Sequence, residues 1–153
     1  MPSGGNRWLV WICRIVGLAV FALAFIEPAV RHGAAGPDAT VFSGWKCASI
    51  ALTETTALFS KAVSGAPPLP IFLVAMSGWI NPLIVLFLLL CVSSRLRIAR
   101  GIVAVIILLC MGATWMFFHL QSVTPLIGHF LWIGGALLIL LPDAFGSSRR
   151  AGA

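Results

Sequence analysis

The stretch IFLVAMSGWINPLIVLFLLLCV, residues 71–92, is a run of apolar side chains with an Asn-Pro pair at its centre. A helix of about 20 apolar residues has the length needed to cross the hydrocarbon core of a bilayer. Proline inside a helix has no backbone N–H and frees the carbonyl four residues earlier, which here is that of Gly78. The stretch therefore predicts a membrane-spanning helix that is kinked at Asn81 and Pro82.

The composition of the chain excludes the ordinary soluble class. The sequence has 153 residues, of which 60% are hydrophobic and 9% are charged, and its mean hydropathy is +1.06. Soluble domains carry about 25% charged residues and use them to cover their surface. We therefore predict one integral membrane domain over residues 1–153, with the lipid bilayer as its main partner.

Three further apolar runs have the length of membrane spans, at residues 8–26, 101–118 and 125–141. Together with residues 71–92 they predict an all-α integral membrane protein, a four-transmembrane-helix bundle with a kinked second span and a tail at residues 142–153. Only residues 119–124 separate the last two runs, so these are expected to form a tight antiparallel hairpin. The first run could instead be a cleaved signal peptide, although Arg14 and two tryptophans interrupt it. As part of a span, Arg14 is expected to extend its side chain to the inner membrane surface.

The basic residues predict the orientation of the bundle. With four spans, one side of the membrane receives seven arginines and a single acid, Asp143, whereas the other side receives three basic and three acidic residues. The formal net charge of +6 thus lies on one side, which the positive-inside rule makes cytoplasmic. Both termini are then cytoplasmic in a multi-pass protein of the inner membrane. The residues that carry this signal, and that suit anionic lipid headgroups, are Arg95, Arg97, Arg100, Arg149 and Arg150, with Arg7 and Arg14. This placement indicates topology and no nucleic-acid partner.

Residues 27–70 form the first outer loop. It opens on a turn-rich linker, EPAVRHGAAGPDA (27–39), and closes with GAPPLP (65–70). Between them, residues 44–63 show polar side chains spaced by three and four, which is typical of an amphipathic helix on the outer surface or across the bundle. The residues that we assign to this helix are Trp45, Cys47, Ile50, Leu52, Glu54, Leu58 and Phe59. A fifth span is the alternative, but it would bring Lys46, Glu54 and Lys61 into or near hydrocarbon.

The polar residues of the chain form no recognisable catalytic or metal-binding motif, so we expect neither an enzyme nor a cofactor. Only Cys47 lies on the predicted outer side, and the sequence has no CxxC pair. His119 and His129 flank the predicted hairpin at similar distances from its tip, with His32 as a conceivable third ligand. They are weak candidates for a metal or haem site, because neighbouring helices of a hairpin seldom place ligands on opposite sides of a cofactor.

The kink itself allows two interpretations. In the structural one, Ser77 and Asn81 bond freed backbone groups or a neighbouring helix, while Gly78 permits close helix packing beside Trp79 and Pro82. In the functional one, an interrupted helix lines a path for a substrate or ion. Such transporters usually carry an intramembrane acid, and no Asp or Glu lies deep in any span. The structural interpretation is therefore preferred.

Three short motifs carry a resemblance to a group of known proteins. They are Gly44-Trp45 in the outer loop, Trp79-Ile80-Asn81-Pro82-Leu83 in the second span, and Gly128-His129-Phe130-Leu131-Trp132 at the start of the last span. With them the chain resembles uncharacterised small four-span bacterial inner-membrane proteins. The resemblance implies a fold and a compartment, and no activity.

Three functional hypotheses follow. The leading one is a non-enzymatic inner-membrane protein that acts through protein contacts, as an oligomeric scaffold, a sensor or anchor subunit of a multi-component system, or an immunity-type protein. Its partners would be further copies of the chain or other membrane proteins. The alternative is a small transporter or channel that uses the Asn81-Pro82 kink. The third is a haem or metal redox module.

Overall fold

The computed structural model describes residues 5–33, 39–61 and 69–148, and most of these are helical. The helices are α1 (Gly5–Leu23), α2 (Gly44–Lys61), α3 (Leu69–Gly78), α4 (Ile80–Leu90), α5 (Arg97–Gln121) and α6 (Ile127–Ser148), with a 3-10 turn at Ser94–Leu96. Three short strands are β1 (Pro28–His32), β2 (Thr40–Ser43) and β3 (Thr124–Pro125). The prediction of a mainly helical, all-α class is confirmed.

Several helix ends differ from the predicted limits. The first helix covers residues 5–23 where 8–26 were expected, because the chain turns at residues 24–26 and enters β1 at Pro28. Helix α5 extends beyond 101–118 at both ends and stops at Ser122, whose left-handed φ of 51° ends the helix. Helix α6 continues past Pro142 to Ser148, so residues 142–148 are helical where a tail was predicted.

Two helical segments are long and apolar enough to cross a membrane, Leu69–Leu90 and Arg97–Gln121. The first consists of α3 and α4 in sequence. Only 28% of the most apolar stretch of each segment is buried inside the structure, and the rest of its residues are half-buried or exposed. Two shorter apolar stretches, Trp8–Leu23 and Ile127–Pro142, belong to α1 and α6.

A three-stranded antiparallel sheet closes one end of the helices, in the order β2-β1-β3. Strand β1 pairs with β2 through Val30–Phe42 and Arg31–Val41, and with β3 through Arg31–Thr124. The prediction of a turn-rich linker at residues 27–39 is therefore wrong at residues 28–32. Residues 34–38 of that linker lie outside the described residues. The sheet joins the segment after α1 to the short connection between α5 and α6.

The helices pack in two groups. One is α1 with α6, and the other is α5 with α3 and α4, with α2 packed on α3. Gly17 and Gly135 allow the close approach of α1 and α6, since a Cβ at Gly135 would lie 2.6 Å from the backbone nitrogen of Phe21. The tight hairpin expected of α5 and α6 is not what the structure shows. Their backbones stay apart, and Trp115 and Phe118 of α5 contact His129 of α6 through their rings. The bulky rings between α5 and α6 keep these two helices apart, whereas the glycines on α1 and α6 let those two helices approach closely.

The apolar core lies between these two groups. Ile84 and Phe87 on α4, Ile107 on α5 and Ile139 on α6 are each at most 1% exposed. Arg14 also lies inside, at 4% exposure, with its guanidinium carbon 5.4 Å from the Trp11 ring and 6.0 Å from the Phe87 ring. The side chain was expected to extend to the inner membrane surface, and in the structure it lies among aromatic rings instead, surroundings that stabilise a cation.

Candidate functional site at the interrupted helix

The predicted kink is present as an interruption between α3 and α4. Helix α3 ends at Gly78 and α4 begins at Ile80, with Trp79 between them. The backbone nitrogen of Trp79 donates to Met76 O at 3.3 Å, three residues back, and regular bonding resumes when Leu83 N donates to Trp79 O at 3.0 Å. Because Pro82 has no N–H, the Gly78 carbonyl loses its normal partner, and the break falls one turn before the proline.

Helix α2 docks against this interruption through small residues. The Thr55 hydroxyl lies 2.8 Å from Ala51 O in its own helix and 3.1 Å from Ala75 O in α3. Trp79 N has turned to Met76, so Thr55 supplies a donor to the Ala75 carbonyl in its place. A Cβ on Gly78 would lie 2.6 Å from the Thr55 oxygen, so only glycine permits this approach.

Ser77 and Asn81 use their polar groups differently. The Ser77 hydroxyl donates to Val74 O at 2.7 Å within its own helix. The Oδ1 atom of Asn81 accepts a hydrogen bond from Trp132 Nε1 on α6 at 3.2 Å. Asn81 thus joins α4 to the opposite group of helices, while its Nδ2 has no hydrogen-bond partner among the residues that the structure describes. Pro82 itself is exposed.

A cavity of about 230 Å³ lies beside these residues, between α2, the sheet, the turn after α1, and parts of α3, α4, α5 and α6. Its walls are mainly apolar and aromatic, with polar groups at a few places. The residues with polar side chains in the walls are His32, Ser77, Asn81, Thr114, His129 and Trp132. Among the described residues that line it, none is Asp, Glu, Lys or Arg. The cavity is therefore an uncharged site with a small number of hydrogen-bonding groups.

The two histidines on either side of the α5–α6 connection lie in different surroundings. His129 is 5% exposed, with its ring centroid 4.7 Å from Phe118, 5.5 Å from Trp115 and 5.6 Å from Trp132. Its Nε2 is buried and has no hydrogen-bond partner within the described part of the chain. His119 is exposed, and so is His32 on β1. Groups of three or more potential metal ligands are absent from residues 5–33, 39–61 and 69–148.

The predicted residues of the outer helix separate into three sets. Trp45, Ile50 and Leu52 are 71%, 39% and 60% exposed, whereas Cys47 and Glu54 are half-buried. The side chains of Leu58 and Phe59 lie outside the described part of the structure. Toward α3 the helix presents Ala51 and Thr55 instead, so small residues form its contact with α3.

Cys47 is the one cysteine that the sequence places on the outer side. Burial raises its pKa from 9.0 to about 11, so at neutral pH the thiol stays protonated. A protonated thiol is a poor nucleophile and a poor metal ligand. Cys13, Cys47, Cys91 and Cys110 are all free of disulfides.

The arginines of the predicted cytoplasmic loop surround the 3-10 turn before α5. Arg95 and Arg97 are exposed and Arg100 is half-buried. Arg149 and Arg150 lie outside the described residues.

Two features of the site had no signal in the sequence, namely the bond from Thr55 to α3 and the burial of His129. Both depend on how helices far apart in sequence are rotated toward each other.

Comparison of the chain with protein-family models, with curated proteins and with solved structures finds no match.

Proposed function

We propose that this chain is a four-span protein of the inner membrane, with both termini in the cytoplasm, that acts by protein contacts and not by catalysis. Its role would be that of a sensor or anchor subunit in a membrane assembly. Support for the membrane placement comes from the outward faces of the helices. Ile15 of α1, Leu89 of α4 and Leu109 of α5 are 64%, 65% and 65% exposed. Water would solvate such faces poorly, whereas lipid covers them at no cost.

The sheet supports four spans over five. Pairing of Arg31 with Thr124 brings the segment after α1 and the connection before α6 to the same end of the bundle. The chain must then cross the membrane an even number of times between these two points. The segment α3–α4 and helix α5 supply two crossings, so α2 remains on the outer side.

The observation that carries the functional proposal is the closed core directly inward of Asn81. Ile84 and Phe87 follow Asn81 along α4 at one and two turns, and both are 1% exposed. They pack with Ile107 and Ile139 of the neighbouring helices. A hydrated path for an ion or polar solute would have to cross this core, which favours a binding protein over a channel.

The exposed face of α2 is the place where a partner would bind. Trp45 and Leu52 present large apolar side chains on the outer side, outside the span segments. Aromatic and aliphatic anchors of this kind dominate the energy of protein interfaces.

In-cell photo-crosslinking tests this proposal. A benzophenone amino acid at position 52, on α2, is expected to give a discrete higher-mass adduct, at twice the chain mass if the partner is a second copy. The same amino acid at position 109, which is 65% exposed in the middle of α5, is the lipid-facing control and should give none. Absence of an adduct at position 52, or equal adducts at both positions, would overturn the proposal.

A further inference from the structure

The cavity beside the interrupted helix has the chemical character of a small-molecule site. Ligand sites are typically concave and mostly apolar, with a few polar groups that orient the ligand. The walls here include the rings of Phe25, Phe117, Phe118 and Trp132, together with several aliphatic side chains. An apolar cavity of about 150 Å³ is enough to bind benzene, so the 230 Å³ here can hold one substituted ring.

The hydrogen-bonding groups in the walls define what the ligand must offer. Ser77 and Thr114 give their hydroxyl protons to the carbonyls of Val74 and Cys110, at 2.7 and 3.0 Å. The indole N–H of Trp132 is given to Asn81 Oδ1. Among the amide, hydroxyl and indole groups of the wall, the donor without a hydrogen bond to the described residues is Nδ2 of Asn81, so a ligand with an acceptor oxygen fits best. The absence of charged side chains among the described wall residues disfavours an ionised ligand.

His129 gives a second, independent indication of a ligand. Its side chain lines the same cavity and is 95% buried, yet its Nε2 has no hydrogen-bond partner within the described residues. A buried polar atom without a partner costs roughly 1–3 kcal/mol. Such atoms in proteins usually mark an ion, a water or a ligand that completes the site.

We propose that this cavity binds a neutral lipophilic molecule that carries a carbonyl group and has the size of one substituted aromatic ring. Its apolar body lies among the aromatic walls, and its carbonyl oxygen accepts a hydrogen bond from Asn81 Nδ2. The site is separate from the exposed face of α2 and does not depend on a protein partner.

Two probes of nearly the same shape test the proposal, acetophenone and isopropylbenzene, of which only the first has a carbonyl. Binding to the full chain in lipid nanodiscs is measured as probe retained per disc, after subtraction of empty discs. The affinity of each probe is corrected for its partition into lipid. We expect the corrected affinity of acetophenone to be roughly 3- to 10-fold higher than that of isopropylbenzene, the range for one neutral hydrogen bond. Equal corrected affinities, or no binding above empty discs, would overturn the proposal.

Variants locate the binding. Ala48→Leu places a larger side chain in the cavity wall and should abolish retention of both probes, while Ala19→Leu on the exposed side of α1 should leave it unchanged. Asn81→Leu should remove only the preference for acetophenone. Unaltered retention in Ala48→Leu would place the probes elsewhere and refute the site. Protection of Cys47, which also lines the cavity, from alkylation by bound acetophenone provides a second measurement on the unmodified chain.

Discussion

Asn81 joins two groups of helices at the level where α4 begins. Its Oδ1 accepts the indole proton of Trp132 from α6, and the bond at 3.2 Å offsets part of the cost of placing an amide among apolar residues. Substitutions of membrane hydrogen bonds commonly cost only about 1 kcal/mol, so Asn81 alone does not hold the bundle together. The same side chain also lines the cavity, so Asn81 connects the contact between the helix groups to the candidate site.

Cys47 is a residue whose chemistry can be measured directly. Because burial raises its pKa to about 11, the thiolate fraction in the folded protein should continue to grow beyond pH 9.0, the ordinary pKa of the thiol. Alkylation by iodoacetamide at Cys47 should therefore increase about tenfold per pH unit from about pH 8 to about pH 10, with no plateau near pH 9. Peptide mapping by mass spectrometry follows this cysteine separately from the other three.

The unfolded chain is the control for this experiment. In denaturant the thiol returns toward its ordinary pKa of 9.0, and its alkylation rate should level off above that pH. A folded protein whose Cys47 rate also levels off near pH 9 would show that the thiol is not desolvated. The same shift lowers stability at high pH, since between 9.0 and about 11 the unfolded thiol ionises and the folded one does not.

At the scale of elements, the docking of α2 on α3 determines the shape of the end of the bundle that carries the sheet. Thr55 bonds the Ala75 carbonyl that the interruption leaves without its helical partner, and Gly78 allows the two backbones to approach. The interruption, the docked helix and the cavity wall thus depend on one another. A substitution where α2 contacts α3 should therefore change both the stability of the protein and access to the cavity.

Gly78→Ala tests this dependence. The new methyl group would lie 2.6 Å from the Thr55 oxygen and 2.8 Å from the Ala51 carbonyl oxygen, which is backbone and cannot turn aside. We expect a loss of roughly 1–3 kcal/mol in the free energy of unfolding, seen as a lower midpoint of thermal unfolding in detergent. Alkylation of Cys47 should become faster as α2 moves away from α3.

Gly112→Ala on α5 is the matched control, because nothing lies within 4 Å of the position of its Cβ. Its midpoint should stay the same or rise, since alanine favours a helix by about 1 kcal/mol over glycine. An unchanged midpoint in Gly78→Ala would contradict the close packing of α2 on α3.

The sequence predicted the helices well and the contacts between them poorly. Apolar runs of the right length indicate helices by themselves, and Pro82 indicates an interruption through covalent geometry alone. The strands were missed because β1 has five residues and pairs with β3, which lies more than 90 positions later in the chain. His119 and His129 looked equivalent by spacing, and only the rotation of α6 toward Trp115 and Phe118 buries one of them.

At the scale of the whole molecule, the sheet and the charges give independent arguments for one topology. The sheet requires that β1 and β3 share an end of the bundle. The proposed four-span arrangement would meet this requirement. It would put the arginines of residues 95–100 at the opposite end, on the side to which the sequence assigns the formal net charge of +6. With α2 as a fifth span, β1 and β3 would lie on opposite sides of the membrane and could not pair.

Reporter fusions distinguish these two topologies. Alkaline phosphatase, which is active only in the periplasm, should be active when inserted at Pro37 and inactive after Arg150, and a fluorescent protein that matures in the cytoplasm should show the reverse. A reporter within residues 93–96 should behave like the one after Arg150. The insertion at Pro37 gives the same result with four or five spans, so the other two positions are decisive. Phosphatase activity at both of them would mean that α2 crosses the membrane, and it would refute the shared end of β1 and β3 together with the outer placement of the α2 face.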